Sequence, residues 1–388
     1  MNKKIKKIIL WITVLIIGLP ILLASATLIN MYHGIYTGYS FQANHMDELK
    51  ELYNRTDFIG VNEQDFCAFD LQDALNSGVK YNDLQYISSH NSYKQELSFF
   101  SKAVFNIFGS SFGMKEREFE YGFPTITEQL NNGIRYIDFD TGYLKRGGKW
   151  EIICSHDPIL DNNSNALDFQ LAIEEVYLWS QNNPNHLPLT IFIEPKSDFL
   201  YLPVLKEFGI EGMKEIDQII KDTLGDTLFT PSDMLGDYAN FKELTNDNGW
   251  AKLEDMLGKI LFITYPDYNL EYMALDTTMS TQAMFMAVWH HSYERNLDSF
   301  AINTPFILTN HPDVEDSLGN SAIEKFLDLN LMVRTRLDFY PVIDTERKEK
   351  GIASNAQILS TDFLKDSRYE AQYYACFEGD YTIKLKQH

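Results

Sequence analysis

Only three of the 388 residues are cysteine, Cys67, Cys154 and Cys376, and their separations match no metal-binding spacing. That leaves one disulfide with a spare thiol, if the compartment is oxidising, or three small buried hydrophobes. Positive charge is scarce as well: 33 Lys and Arg stand against 55 Asp and Glu, for a formal net charge of -22. Affinity for nucleic acid rests on cationic contacts to phosphate, so that class of partner is excluded. Tight electrostatic adhesion to anionic lipid is disfavoured too. A divalent cation suits so acidic a surface better. The chain also lacks internal repeats, low-complexity tracts, Pro/Gly/Ser linkers and a phosphate-cradling loop, which argues for one domain rather than two.

What is present is 45% hydrophobic and 14% aromatic, enough for a sizeable core. The chain opens MNKKIKKIILWITVLIIGLPILLASATLIN: four lysines, an apolar run from Ile8 to about Leu23, then Ala24-Ser25-Ala26. This is the order of a secretory signal. The apolar stretch Ile8 to Ile29 is equally long enough to span a bilayer uncleaved, which takes about 20 residues. In both cases the positive flank leaves the rest outside the cytoplasm, secreted or on the outer face of the plasma membrane. Residues 1–32 are therefore set apart as signal peptide or anchor, and 33–388 as the folded domain.

Short β-type runs recur at Leu84–Ser88, Ile134–Phe139, Trp150–Cys154, Leu189–Ile193, Lys259–Thr264, Phe306–Thr309, Leu331–Leu337 and Gln357–Ser360. Helical patterns lie between many of them, such as SNALDFQLAIEEVYLWSQNN with a Ser164 or Asn165 cap, EGMKEIDQIIKDTLG and GNSAIEKFLDLN. Eight strands alternating with helices predict a parallel (β/α)8 TIM barrel. The link TGYLKRGGK, from Thr141 to Lys149, is too short for a helical crossover of a dozen residues, so the barrel is expected to be irregular.

In such a barrel the reactive side chains stand at the C-terminal strand ends. The first strand runs LQYISSHNSYKQ and delivers His90 and Asn91. The second delivers Asp138 and Asp140, spaced two apart and so on one face. His156 follows the third, Glu194 and Lys196 the fourth; Arg334, Arg336 and Asp338 lie on the seventh, and the eighth ends at Asp362. Carboxylates converging on one mouth repel unless protonated or bound to a cation. Asn91, Asp138, Asp140 and Glu194 make a hard oxygen set, which suits calcium better than magnesium or zinc. Two histidines beside it supply a donor to developing negative charge and an acid for a leaving oxygen, the needs of phosphodiester cleavage.

The ordered motifs ISSHNSY, EQLNNGIRYIDFDTGY, SHDP, IFIEPKS, VRTRLD and ILSTDF, from about Tyr81 to Phe363, resemble the phosphatidylinositol-specific phospholipase C-like phosphodiesterases, above all their bacterial calcium-dependent branch. The resemblance implies a distorted TIM barrel with calcium at its mouth. A ring hydroxyl of the inositol head group would attack its own phosphorus, giving diacylglycerol and a cyclic phosphate. By matching position, His90 stabilises the phosphorane, His156 is the general acid, Asn91, Asp138, Asp140 and Glu194 bind the metal, and Lys196 meets the phosphate. Asp140 stands where a calcium-independent relative carries a cation. The expected partners are an inositol phospholipid or glycerophosphodiester and a membrane surface, with the chain a monomer. Glycerophosphodiester phosphodiesterases are similar but carry His-Arg where this chain has His90-Asn91. A non-catalytic surface protein on the same barrel is the other alternative, and it would have no need of both histidines and the acidic set together.

Other features have plainer readings. Arg334 and Arg336 are candidates for substrate contact, or with Asp338 for a structural ion-pair ladder. Asp157, before Pro158, is a loop former. His290 and His291, adjacent and so pointing apart, belong to a surface or loop rather than to a metal. The aromatic run Ser98 to Met114 is either a lid whose Phe105, Ile107 and Phe108 dip into lipid or an insertion packed on the barrel.

Overall fold

The computed structural model describes residues 3–109, 116–196, 202–295, 302–312, 320–340 and 342–387. Eleven strands join one sheet: β1 (Leu84–Ser89), β2 (Tyr136–Arg146), β3 (Lys149–Cys154), β4 (Leu189–Pro195), β5 (Leu205–Lys206), β6 (Ile260–Thr264), β7 (Met284–Trp289), β8 (Phe306–Leu308), β9 (Met332–Arg336), β10 (Ile358–Thr361) and β11 (Ile383–Leu385). Eight of them run parallel, in the spatial order β1, β10, β9, β8, β7, β6, β4, β2. These are almost wholly buried, as strands covered on both faces are, with polar side chains confined largely to the ends that form the site. The sheet has no ladder between β1 and β2. Ser92 bridges that seam instead, its N–H donating to Asp138 O at 2.9 Å and its Oγ accepting from Asp138 N at 2.7 Å. Lower down, β11 pairs antiparallel with β1, and Thr382 Oγ donates to Gly133 O. The result is an irregular α/β barrel whose β1–β2 seam is stitched by one main-chain and one side-chain hydrogen bond of Ser92.

Two strand assignments from the sequence need correction. The run Trp150–Cys154 is not a barrel strand: β3 returns antiparallel along β2 from a two-residue turn, Arg146 pairing with Lys149. Gly147 and Gly148 hold φ of 57° and 86°, the double positive that a tight hairpin turn of this hand requires. The missing barrel strand is β7, MFMAVW, a continuous apolar run with no alternation to mark it. The site residue His156 therefore follows a hairpin arm, which brings it back to the level of Thr141, the partner of Cys154. Of the expected helices, the first spans Phe169–Asn182 and is capped by Asp168, which accepts from Leu171 N, not by Ser164 or Asn165. The other two run Gly209–Leu224 and Asn320–Leu327.

The helix Leu19–Tyr53 is continuous across the boundary at residues 32 and 33. Its buried residues Met31, Gly34, Ile35, Gly38, Gln42, Met46 and Leu49 recur at three- and four-residue spacing, a stripe facing the barrel. Close approach is built in at Gly34, where a Cβ would sit 2.6 Å from the Asn162 side chain. Gln42 clasps Asp168 through both its amide atoms. Toward the N-terminus the same helix is exposed and apolar, at Leu19, Ile21, Leu22 and Ile29, and it is long and apolar enough to cross a membrane. The three cysteines are free thiols: Cys67 and Cys154 are buried and Cys376 half-buried.

Candidate active site

The alternation of β2 places Tyr136, Asp138 and Asp140 on the barrel's inner face. Tyr136 packs with Tyr81 and Tyr86 and hydrogen-bonds the Tyr81 hydroxyl, plugging the lower barrel with aromatic rings. Asp138 and Asp140 stand above that plug. The β2–β4 register sets Asp140 directly opposite Glu194, and like charges so placed repel. One cation intervenes: Lys196 Nζ is 2.5 Å from Glu194 Oε1 and 3.1 Å from Asp140 Oδ2. Burial works to lower the Lys196 pKa, but the two carboxylates more than offset it and hold the ammonium well above the usual lysine range. Burial raises Asp140 to about 6 against the opposing pull of Lys196. Asp138 is pushed well above the carboxylate range by burial and then by Asp140.

Asn91, two residues past the end of β1, sits in a left-handed conformation with φ of 55°, which asparagine tolerates. Its Nδ2 donates to the Tyr121 hydroxyl at 2.8 Å, which turns Oδ1 away. Asn91 Oδ1, Asp138 Oδ1 and Asp140 Oδ1 are buried without a hydrogen-bond partner, and Asp140 Oδ2 faces the Lys196 ammonium at 3.1 Å. Buried acceptors left in this way are costly, and a hard cation would satisfy them together. Among the described residues no three His, Cys, Asp or Glu side chains form a metal cage by themselves. The acidic set needs Asn91 to complete it, and Lys196 lies in its midst.

Each candidate histidine is braced by a buried carboxylate. His90 Nδ1 and Asp362 Oδ1 are 2.8 Å apart. Burial, then the guanidiniums of Arg336 and Arg334, push the His90 pKa well below the ordinary value. In the tautomer whose Nδ1–H donates to Asp362, Nε2 is the free base of the ring, 3.5 Å from Arg336 Nη1. His156 Nδ1 lies 2.9 Å from Asp161 Oδ2, and the other oxygen of Asp161 is 2.9 Å from Lys94 Nζ. Lys94 has no solvent exposure, and its ammonium also reaches the carbonyls of Gln95, Phe119 and Tyr121. Those carbonyls fix the segment whose rings cover the two histidines: Phe119 lies 5.6 Å from His156, and Tyr121 lies 5.9 Å from His90.

A cavity of about 450 Å³ opens over these groups, lined by His90, Asn91, His156, Glu194, Lys196, Arg334 and Arg336 among the residues expected from sequence. Asp138 and Asp140 are not in its lining but lie beneath it, with Tyr265 Oη 3.4 Å from Asp138. Arg336 is committed to structure, bonded to Asp338 at 3.2 Å and Asp362 at 2.8 Å. Arg334 contacts Asn310 and Ser360 and makes no ion pair among the described residues. Asp157 caps its own loop, accepting from Ile159 N and Leu160 N. His290 is buried rather than at the surface, stacked edge-on against His291. Phe105 is packing, 4.5 Å from Phe119 and only 6% exposed, whereas Ile107 is 67% exposed; residues 110–114 of that run lie outside the described residues. Sequence reasoning missed Lys94, Asp161, Tyr121 and Tyr265. The sole signal for Asp161 was a carboxylate five residues after a candidate histidine.

The family described as "Phosphoinositide phospholipase C, Ca2+-dependent" matches residues 79–159 and 154–386, and the chain belongs to it. It is thus a phosphoric diester hydrolase of the phospholipase C type. Solved structures agree in fold. A calcium-dependent phosphoinositol-specific phospholipase C from Pseudomonas sp. is 15% identical with a TM-score of 0.57, over 84% of this chain and 99% of that one. The same enzyme's myo-inositol complex is also 15% identical, with a TM-score of 0.56 over 83% and 98%. The calcium-dependent enzyme from Streptomyces antibioticus is 20% identical, with a TM-score of 0.52 over 73% and 94%. No curated protein sequence matches the chain significantly.

Proposed function

We propose that the protein is a calcium-dependent phospholipase C that cleaves the glycerophosphoryl bond of an inositol phospholipid through a cyclic inositol phosphate. The observation that carries this is the pairing of two carboxylate-braced histidines with unsatisfied buried oxygens at one cavity. His90 Nε2, neutral and unprotonated, accepts the proton of the attacking ring hydroxyl. This differs from the donor role expected of it from sequence: with Nδ1–H given to Asp362, Nε2 is placed to take a proton. The hydroxyl oxygen bonds to phosphorus while the bond to the glycerol oxygen breaks, and His156 Nε2 gives that oxygen its proton. Arg334, without an anionic partner among the described residues, faces the phosphate. Asn91, Asp138, Asp140 and Glu194 would hold the calcium, which when bound stabilises negative charge on the phosphoryl oxygens.

Phosphorus NMR of the products from a panel of inositol lipids and glycerophosphodiesters, with calcium and with chelator, tests this reading. A cyclic phosphate formed from an inositol lipid only with calcium is the expected result, and Asp140→Asn should abolish it. Full activity in excess chelator would remove the metal assignment. Turnover confined to glycerophosphodiesters would favour the other phosphodiesterase class.

A further inference from the structure

The two lysines near the site are held in opposite ways. Lys94 is locked: fully buried, paired with Asp161 and bonded to three carbonyls. The Lys196 ammonium is held by carboxylates alone, Glu194 at 2.5 Å and Asp140 at 3.1 Å, and these are its only hydrogen-bond and ion-pair partners among the described residues. Its side chain is 22% exposed and lines the cavity, so it has somewhere to go. The oxygens it occupies belong to the set left for a hard cation. Calcium draws its oxygens to roughly 2.3–2.6 Å and takes six to eight of them, which leaves an ammonium no room on the same carboxylates. Two cations so close would also repel strongly in a buried site.

Resting on the calcium reading above, we infer that Lys196 is a displaceable counter-ion. Without metal its ammonium neutralises Asp140 and Glu194; calcium, on taking those oxygens, releases it into the cavity, where it meets the phosphate of the substrate. Two consequences follow from linkage. Calcium binds more weakly than its oxygen set alone would allow, because an internal cation must leave first. Metal and phosphodiester favour each other's binding, since each stabilises the arrangement with the lysine swung out.

Calorimetric titration of calcium chloride into the full chain and its Lys196→Met variant tests the inference. The variant should bind calcium about tenfold more tightly or better, and its metal-free form should melt lower, with two opposed carboxylates left uncompensated. Wild-type binding with no gain in the variant would overturn the displacement and leave the calcium reading standing. Absence of calcium binding by both proteins would overturn the two together and make Lys196 a permanent cation. Should the variant not fold, acylation of Lys196 in the wild-type chain by an amine-reactive ester, followed by mass spectrometry, decides: faster labelling with calcium than with chelator supports release, and equal labelling overturns it.

Discussion

What a histidine can do is decided by the group that holds its other nitrogen. Asp362 fixes His90 and Asp161 fixes His156, yet the two dyads differ in what stands behind them. Behind Asp362 is Arg336, whose other contacts include Asp338 and the His90 ring itself, and after burial the guanidinium is what pushes the pKa of that ring down most. Behind Asp161 is Lys94, which burial would otherwise leave unpaired; the pair holds the Asp161 carboxyl below its usual range despite its own burial. The division of labour is testable through the leaving group. A general acid contributes roughly 10²- to 10⁴-fold, so His156→Ala should lose about that much with a lipid substrate. It should recover most of the loss with a nitrophenol-like leaving group of low pKa, which departs without protonation. His90→Ala should not recover, because the attacking hydroxyl still needs a base. Equal rescue of both variants, measured as kcat/KM, would reverse the assignment.

At the scale of elements, what was legible in the sequence is what local spacing encodes. The pairs Asp138/Asp140 and Glu194/Lys196 were readable because a strand repeats every two residues, and the structure sets Asp140 opposite Glu194 as that parity demands. What spacing does not encode is the path of the chain between strands. A β-rich run after a Gly-Gly turn looks the same in sequence whether it joins the barrel or folds back, and β3 folds back; β7, wholly apolar, carries no period to mark it as a strand. Lys94 and Asp161 escaped for the same reason, since two loops 67 residues apart bring them together. The helix Phe99–Phe108 divides similarly. Phe105 stacks on Phe119, which lies against His156, while Phe99 is 88% and Ile107 67% exposed. Phe105→Ser should therefore lower turnover of vesicles and of a soluble inositol phosphodiester together, with a drop in Tm. A joint Phe99→Ser, Ile107→Ser change should lower vesicle cleavage alone. If the soluble substrate suffers equally, that outer face belongs to the packing as well.

For the molecule as a whole, the proposed inositol phospholipid substrate raises the question of what would hold a chain of net charge -22 at a lipid surface. Repulsion from an anionic bilayer acts over about a Debye length, roughly 8 Å at physiological salt, so attraction at long range is not available. The apolar N-terminal rod offers another means, and the structure ties it to the enzyme at a definite place. Asn30 accepts from Ser98 Oγ at 2.7 Å and lies 3.2 Å from Ser101 Oγ, so the apolar half of the rod leaves the barrel beside exposed Phe99. Met31, one residue on, has no exposure, and Asn162 donates to its carbonyl at 3.0 Å. Truncations across this stretch should separate anchoring from packing. A form beginning at Thr27, just past Ala26, keeps Asn30 and Met31 and should match the full chain in Tm while losing whatever hold the apolar half provides. A form beginning at Gly34 removes Asn30, and with Met31 a buried side chain worth about 1.5–3 kcal/mol, so it should melt several degrees lower and turn over a soluble substrate less well through the slackened Ser98 and Ser101 contacts. Equal melting of the two shortened forms would mean that Asn30 and Met31 add nothing to the packing and that the stripe holding the rod to the barrel begins only at Gly34.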